Sequence, residues 1–329
     1  VQTSDRKTMT TRKPILGIDL GGTNMQFGVL APNGTIIGRA KKKTKAAEGA
    51  KAVIDRLVDG IHEACDDAKI KVTSLAAVGI GAPGAIDPAT GMVLQAPNLR
   101  WTNLPLPQIL RKRIGKPVAV TNDVRAAVVG EHELGAGAGC TDIMAVWLGT
   151  GVGGGLILKN QLYTGFLGSA GEIGHMTLIP GNPPAARSFE HTCSRTAVAD
   201  RLVRLIRTGR KSMISDILDG DLSEVKAKAI GLAYHKGDAL TREVVDDAAR
   251  FIGIAIASLN STLSLQRVVL GGGLTEALGE SLVRVVRAAH HEHVFPHVCR
   301  KTSIVKTKLG PDAGVLGAAI HAKRTVLAR

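Results

Sequence analysis

The chain has 329 residues, 44% hydrophobic but only 3% aromatic, which is enough for two lobes with cores of Val, Ile, Leu and Ala and argues against one small domain. Forty-two basic residues against 28 acidic ones leave a net charge of +14, which suits nucleic acid, an acidic surface or an anionic substrate and by itself selects none of them. No apolar run reaches the roughly 18 to 20 uncharged residues that span a bilayer, and residues 1–13 are too polar for a secretory signal, so a cytoplasmic chain without a membrane partner is expected.

Residues 1–13 read as a disordered leader. Pro14 to Leu20 is a short apolar strand ending in an acid and two glycines, Met25 to Leu30 is a second strand, and Asn33-Gly34 turns the chain into a third at Thr35 to Ala40. The basic run Arg39 to Lys45 carries no interleaved aromatics on which bases could stack, so it reads as a solvated edge strand or loop and nucleic acid is not expected as a partner. Apolar positions at helical spacing over 50–69 predict a helix with Cys65 as a core thiol. A strand at Leu75 to Ile80, a loop at Gly81 to Pro88, a helix at Leu106 to Ile114 and a strand at Pro117 to Thr121 complete a first α/β lobe, 14–122.

The second lobe, 123–311, restarts the plan: a strand at Ile143 to Leu148, a Gly-rich turn, and Leu156 to Leu162 as the hairpin partner. Helices are expected around 196–208, 222–235 and 241–264, then a strand at Arg267 to Leu270 and a helix from about Glu276 that Pro296 ends. His290, His291, His293 and His297 read as imidazoles at a surface helix end. The stretch 312–326 predicts a helix that packs through small residues and returns to the first lobe. Cys65, Cys140, Cys193 and Cys299 are far apart and form no C-x-x-C pair, so reduced thiols are expected.

Two segments carry phosphate chemistry. In Asp19-Leu20-Gly21-Gly22-Thr23-Asn24 an acid leaves a strand and enters a turn whose bare N–H groups can wrap phosphate oxygens. Thr23 adds a hydroxyl, and Asp19 could hold Mg²⁺ directly or through water. Gly149-Thr150-Gly151-Val152-Gly153-Gly154-Gly155 contains G-x-G-x-x-G, yet a dinucleotide site needs a helix after the glycines and the following LILKNQL is β-rich. A second phosphate hairpin fits better, and two strand-Gly-turn-strand units could clasp one polyphosphate between the lobes.

These segments, with GAPGAID at 81–87, Asn122-Asp123, EIGH at 172–175 and VLGGGLTEA at 269–277, resemble the ROK family of bacterial sugar kinases from Ile15 onward. The resemblance implies an α/β, two-lobed actin/hexokinase-like (ribonuclease H-like) fold with an interlobe cleft, and ATP- and Mg²⁺-dependent phosphorylation of a hexose, with glucose preferred as acceptor. Asp123 then accepts the hydroxyl proton, since a carboxylate at a strand end in a cleft gains basicity where bulk water is removed. Asn122, Glu172, His175 and Glu190 are similar to sugar-binding residues of the family, with Gly84 and Asn98 as further contacts. Asn122-Asp123 also reads simply as a helix N-cap. Gly21, Gly22, Thr23, Asn24, Thr150 and Gly151 would face the phosphates, and Gly271, Gly272 and Gly273 would let the backbone lie against the adenosine.

Family members usually carry a cysteine-rich stretch after the histidine that forms a structural zinc site, whereas MTLIPGNPPAARSF has no cysteine. Zinc is therefore expected to be absent, with Pro183 and Pro184 stiffening the linker, although the loss leaves open how His175 is held. N-acylmannosamine or fructose kinases would share every catalytic residue, and polyphosphate could replace ATP. The resemblance also admits sugar-responsive repressors, but 18 residues before Asp19 leave no room for a helix-turn-helix domain in the sequence given. A noncatalytic sugar sensor is the remaining alternative class. A homo-oligomer, dimer or tetramer, is what the resemblance implies.

Overall fold

The computed structural model describes residues 13–327, so the expected leader lies almost wholly outside the described residues. The chain divides into two compact units, one running to Gly130 and resuming at Asp312, the other comprising Glu131–Pro311.

The first unit opens with β1 (Ile15–Leu20), β2 (Asn24–Leu30) and β3 (Ile36–Lys43), followed by α1 (Ala50–Asp67) and β4 (Val78–Ala82). Next come β5 (Ala85–Ile86), β6 (Val93–Ala96), β7 (Trp101–Leu104), α2 (Leu106–Ile114), β8 (Val118–Asn122) and α3 (Asp123–Leu134), the last of which runs across the unit boundary. Five strands form one sheet in the order β3-β2-β1-β4-β8, antiparallel through the opening meander and parallel from β1 onward. The expected loop 81–88 instead contains β5, which joins β6 and β7 in a small antiparallel sheet. Two-residue strands carry too little periodicity to be read locally.

Packing on this sheet is decided by glycine. Gly28, Gly17 and Gly79 lie side by side on β2, β1 and β4 and form a floor for the C-terminal helix, Ala313–Val326. A Cβ on Gly17 would stand 1.9 Å from the Val315 carbonyl oxygen, and one on Gly79 would stand 1.9 Å from that of Ala318. The helix thus rests its own backbone on the sheet, as its small-residue composition suggested. At the sheet edge, β3 turns its cations outward, where the Arg39 guanidinium meets Asp312 through two bonds of 2.6 and 2.8 Å and Lys42 pairs with Glu63. Charge of this kind guards an edge strand against unwanted pairing.

The second unit repeats the scheme with β9 (Ile143–Leu148), β10 (Val152–Leu158), β11 (Gln161–Leu162), and a helical stretch of α4 (Phe189–Cys193), α5 (Arg195–Arg207), α6 (Met213–Ile217), α7 (Ala227–His235) and α8 (Ala239–Leu263). It closes with β12 (Arg267–Gly271), α9 (Gly273–Leu278), α10 (Glu280–His293) and β13 (Ser303–Lys306). The sheet order β11-β10-β9-β12-β13, with its antiparallel hairpins and parallel β9-β12-β13, matches that of the first unit strand for strand. The hairpin partner of β9 begins at Val152 and not at Leu156, so Gly153, Gly154 and Gly155 are strand and not turn. The helix expected from Glu276 starts at Gly273 and is interrupted at Gly279 (φ 58°), where α10 takes over.

One histidine departs from its surface assignment. His290 is fully buried, its Nε2 accepting from the Asn260 amide at 3.1 Å, while the same amide reaches Thr302 Oγ1 at 2.9 Å. His291, His293 and His297 are exposed. Burial, with the neighbouring His291, lowers His290 to about 4. Folded, it is neutral above that pH; unfolded, it takes up a proton below about 6.5, so its contribution to stability is complete above 6.5 and is lost as pH falls toward 4. Urea unfolding should show wild type losing about 2 kcal/mol more between pH 7.5 and 5 than a His290→Leu variant. Equal slopes would mean the imidazole does not titrate differently in the two states.

Candidate active site

Parallel register brings the acidic groups of the first unit together. Asp19 on β1 is level with Gly81 on β4, which is level with Thr121 on β8, and the chain then delivers Asn122 and Asp123 at the next two positions. Asp19 and Asp123 therefore stand at the carboxyl ends of strands in one sheet, where open α/β sheets bind ligands. Gly81 makes the approach possible, since a Cβ there would meet Asp123 Cα at 3.2 Å. Burial, and after it the charge of Asp123, pushes the Asp19 carboxyl up to about 7. Its carboxyl group lies over Gly314, whose missing Cβ would fall 2.9 Å from Asp19 Cγ.

Asn122 performs the capping role and more. Its Oδ1 accepts the N–H of Val124 (3.0 Å) and of Arg125 (3.2 Å), while its Nδ2 donates to the Gly84 carbonyl oxygen at 3.1 Å. Asp123 Oδ1 also accepts from Val124, at 2.9 Å, which fixes one carboxylate oxygen against its own helix. Gly84 has φ +95°, and a Cβ there would lie 2.1 Å from the Gln95 carbonyl oxygen, so no other residue fits. Asn98 is exposed and packs against Gly22 of the first glycine turn.

That turn closes through Gly21 N–H to the Asn24 carbonyl at 3.0 Å, leaving Gly22 and Thr23 exposed. Thr44 braces it from behind: its hydroxyl donates to the Gly21 carbonyl (2.6 Å) and its N–H to that of Thr23 (2.8 Å). Sequence reasoning missed Thr44, which sits inside the basic run and carries no signal of its own there.

In the second unit, Gly149 N–H closes the β9–β10 turn on the Gly151 carbonyl at 2.9 Å. Glu190, expected at the sugar, is brought to this turn: its Oε2 accepts the Val152 N–H at 2.9 Å, and a Cβ on Gly151 would stand 2.1 Å from the same oxygen. Arg195, which lies just before the helix expected around 196–208 and was given no role there, reaches the turn from the first position of α5. Its N–H donates to the Gly149 carbonyl at 3.0 Å and its Nη2 to Thr150 Oγ1 at 3.2 Å.

Further glycines of this run serve the segment that carries Glu172 and His175. A Cβ on Gly154 would lie 2.4 Å from the Gly171 carbonyl oxygen, and one on Gly174 would lie 2.1 Å from that of Val152. The 171–174 backbone therefore lies directly on β10, and it presents Glu172 and His175 as exposed side chains. Gly271 packs on the Trp147 ring and Gly272 (φ +84°) on the Leu148 backbone, whereas a Cβ on Gly273 would make only an ordinary contact with Ala227 Cβ at 3.8 Å.

The linker after His175 closes on itself. Thr177 and Ser188 form an antiparallel bridge, Leu178 and Ile179 both donate to the Arg187 carbonyl (2.8 and 3.1 Å), and Phe189 N–H reaches Met176 O at 2.8 Å. Among the described residues no three His, Cys, Asp or Glu side chains converge as metal ligands. His191 is engaged instead with Ser188, Nδ1 to Oγ at 2.8 Å.

The ROK family model matches residues 15–325, nearly the whole described chain. The chain belongs to the ROK family. It is 33% identical over 316 residues to a glucokinase of Thermotoga maritima, covering 95% of this chain and 98% of the relative. The structure of a ROK family glucokinase from Streptomyces griseus in complex with glucose and AMPPNP superposes with a TM-score of 0.84 at 30% identity, over 94% of this chain and 99% of that one. A DNA-binding transcriptional dual regulator of Escherichia coli, NagC, is 27% identical over 275 residues, 82% of this chain and 66% of its own length. As a ROK protein the chain has the actin/hexokinase-like fold, and each unit carries one glycine hairpin.

Proposed function

We propose that this ROK protein is a sugar kinase that transfers a phosphoryl group from ATP to a hexose hydroxyl, with glucose as the preferred acceptor and Asp123 as the general base. The observation that carries the reading is the register of β1, β4 and β8, which sets Asp123 beside Asp19 at the strand ends of the sheet that bears the first glycine turn. Asp123 Oδ1 is held by the Val124 N–H, so the carboxylate is oriented for a hydroxyl proton, and geometry is the first requirement of a general base. Glu172 as acceptor and His175 as donor or acceptor suit a vicinal diol, and unpaired polar groups would penalise sugars that lack a hydroxyl. The two glycine turns offer N–H groups to phosphate oxygens.

The residues also fit Mg²⁺. Asp19 carries a carboxylate that burial and Asp123 make costly to ionise, and a hard divalent cation with oxygen ligands relieves that cost. When bound, such an ion would neutralise phosphate charge. Free cysteines and the use of ATP support a reducing cytoplasm as the setting of this reaction.

The similarity to NagC supports a second reading, a sugar-responsive regulator that binds but does not phosphorylate. Release of ADP from Mg-ATP against glucose, fructose, mannose, N-acetylmannosamine and N-acetylglucosamine separates the two. Sugar-dependent turnover is expected, strongest with glucose. Sugar binding without turnover, with ATP or with inorganic polyphosphate, would favour the regulator.

A further inference from the structure

We infer that Arg195 is a donor-binding residue, with its guanidinium gripping the phosphate chain that the β9–β10 turn receives. The inference rests on the phosphoryl-transfer reading and adds a residue to it.

The two sister turns are braced differently. In the first unit the brace is neutral: Thr44 satisfies the carbonyls of Gly21 and Thr23. In the second, the N–H of Arg195 ties its backbone to Gly149, and its Nη2 rests on Thr150 Oγ1 at 3.2 Å and, more loosely, on Thr196 Oγ1 at 3.5 Å. A hydroxyl is a weak partner for a guanidinium, whose forked donors match carboxylate and phosphate oxygens. The hydrogen bonds of the described residues engage only the Nη2 end of Arg195, which leaves its Nε and Nη1 donors to a ligand.

Neighbouring arginines show the contrast. Arg201 and Arg250 pair with Asp247, and Arg210 pairs with Glu243. None of the ion pairs among the described residues includes Arg195. Glu190 does not supply the missing anion, because its Oε2 faces Gly151 and the Val152 N–H. Nor is the position one that favours a cation for the sake of the helix. Arg195 is the first residue of α5, where the helix dipole disfavours positive charge. A half-buried guanidinium, pinned at its backbone to a glycine turn and lacking an acid, is a site for phosphate oxygens.

A nucleoside triphosphate and inorganic polyphosphate share that chemistry, so both serve as probes. Titration calorimetry with Mg-AMPPNP, with inorganic tripolyphosphate and with glucose should be run on wild type, Arg195→Ala and Arg195→Lys, after thermal melts confirm each variant is folded. Arg195→Ala should weaken the phosphate probes that wild type binds by about tenfold or more, as expected for a charge-assisted contact, while glucose affinity is unchanged. Arg195→Lys should recover part of the loss, because charge is kept and the fork is not. If Arg195→Ala binds the phosphate probes as wild type does, or loses glucose affinity in parallel, the assignment is overturned. If wild type binds glucose but neither phosphate probe, the phosphate role of the turn falls together with that of Arg195.

Discussion

Asp123→Asn should lower kcat by about 10²–10⁴-fold, the range a positioned general base contributes, with sugar affinity little changed. The exchange is close to isosteric, and the amide oxygen can still accept the Val124 N–H that Asp123 Oδ1 accepts at 2.9 Å. The start of α3 therefore survives, as Asn122 continues to cap it. In the proposed mechanism, what is lost is the ability to take the hydroxyl proton. Steady-state turnover, paired with calorimetric titration of glucose, measures the two quantities separately. Near wild-type kcat would remove Asp123 from the mechanism.

Gly317→Ala should strip the C-terminal helix from its sheet. A Cβ at this position would stand 1.7 Å from the Ala126 carbonyl oxygen and 2.8 Å from the Gly130 nitrogen, so the obstruction is backbone on α3 and cannot rotate away. Overpacking of this kind costs about 1–3 kcal/mol where side chains can adjust, and the rigid contact here should cost at least the upper end. The Gly28, Gly17 and Gly79 floor holds the other side of the same helix, so the helix has no direction in which to retreat. Chemical denaturation should show an early loss of structure in the first unit. An unchanged midpoint would mean that α3 shifts freely, contrary to its burial.

Much of the fold was legible because its signals are local. Leu106–Ile114 and Ile143–Leu148 fall where the apolar spacing put them, and the Asn33-Gly34 hairpin forms, with the Thr35 N–H donating to Asn33 Oδ1 at 3.1 Å. The basic run became an edge strand for the same reason, an alternation of inward small residues and outward cations over Gly38, Arg39, Ala40 and Lys41. Two-residue strands such as β5 escaped, since their pairing depends on β6, which arrives only after an intervening turn.

The candidate site divides in the same way. Strand-end acids and glycine turns are short motifs with their own chemistry, so Asp19, Asp123 and both hairpins could be named from sequence. The sequence by itself thus determined which residue types stand at the ends of which strands. Only the tertiary structure decided what surrounds them: that Glu190 supports the Gly151 turn, that Thr44 and Arg195 brace the two turns, that Gly154 and Gly174 serve backbone packing, and that His290 is buried against Asn260. Each of those roles is set by a partner distant along the chain or by a contact of the backbone itself. Local periodicity reports which face of an element is apolar and is silent about what that face will meet.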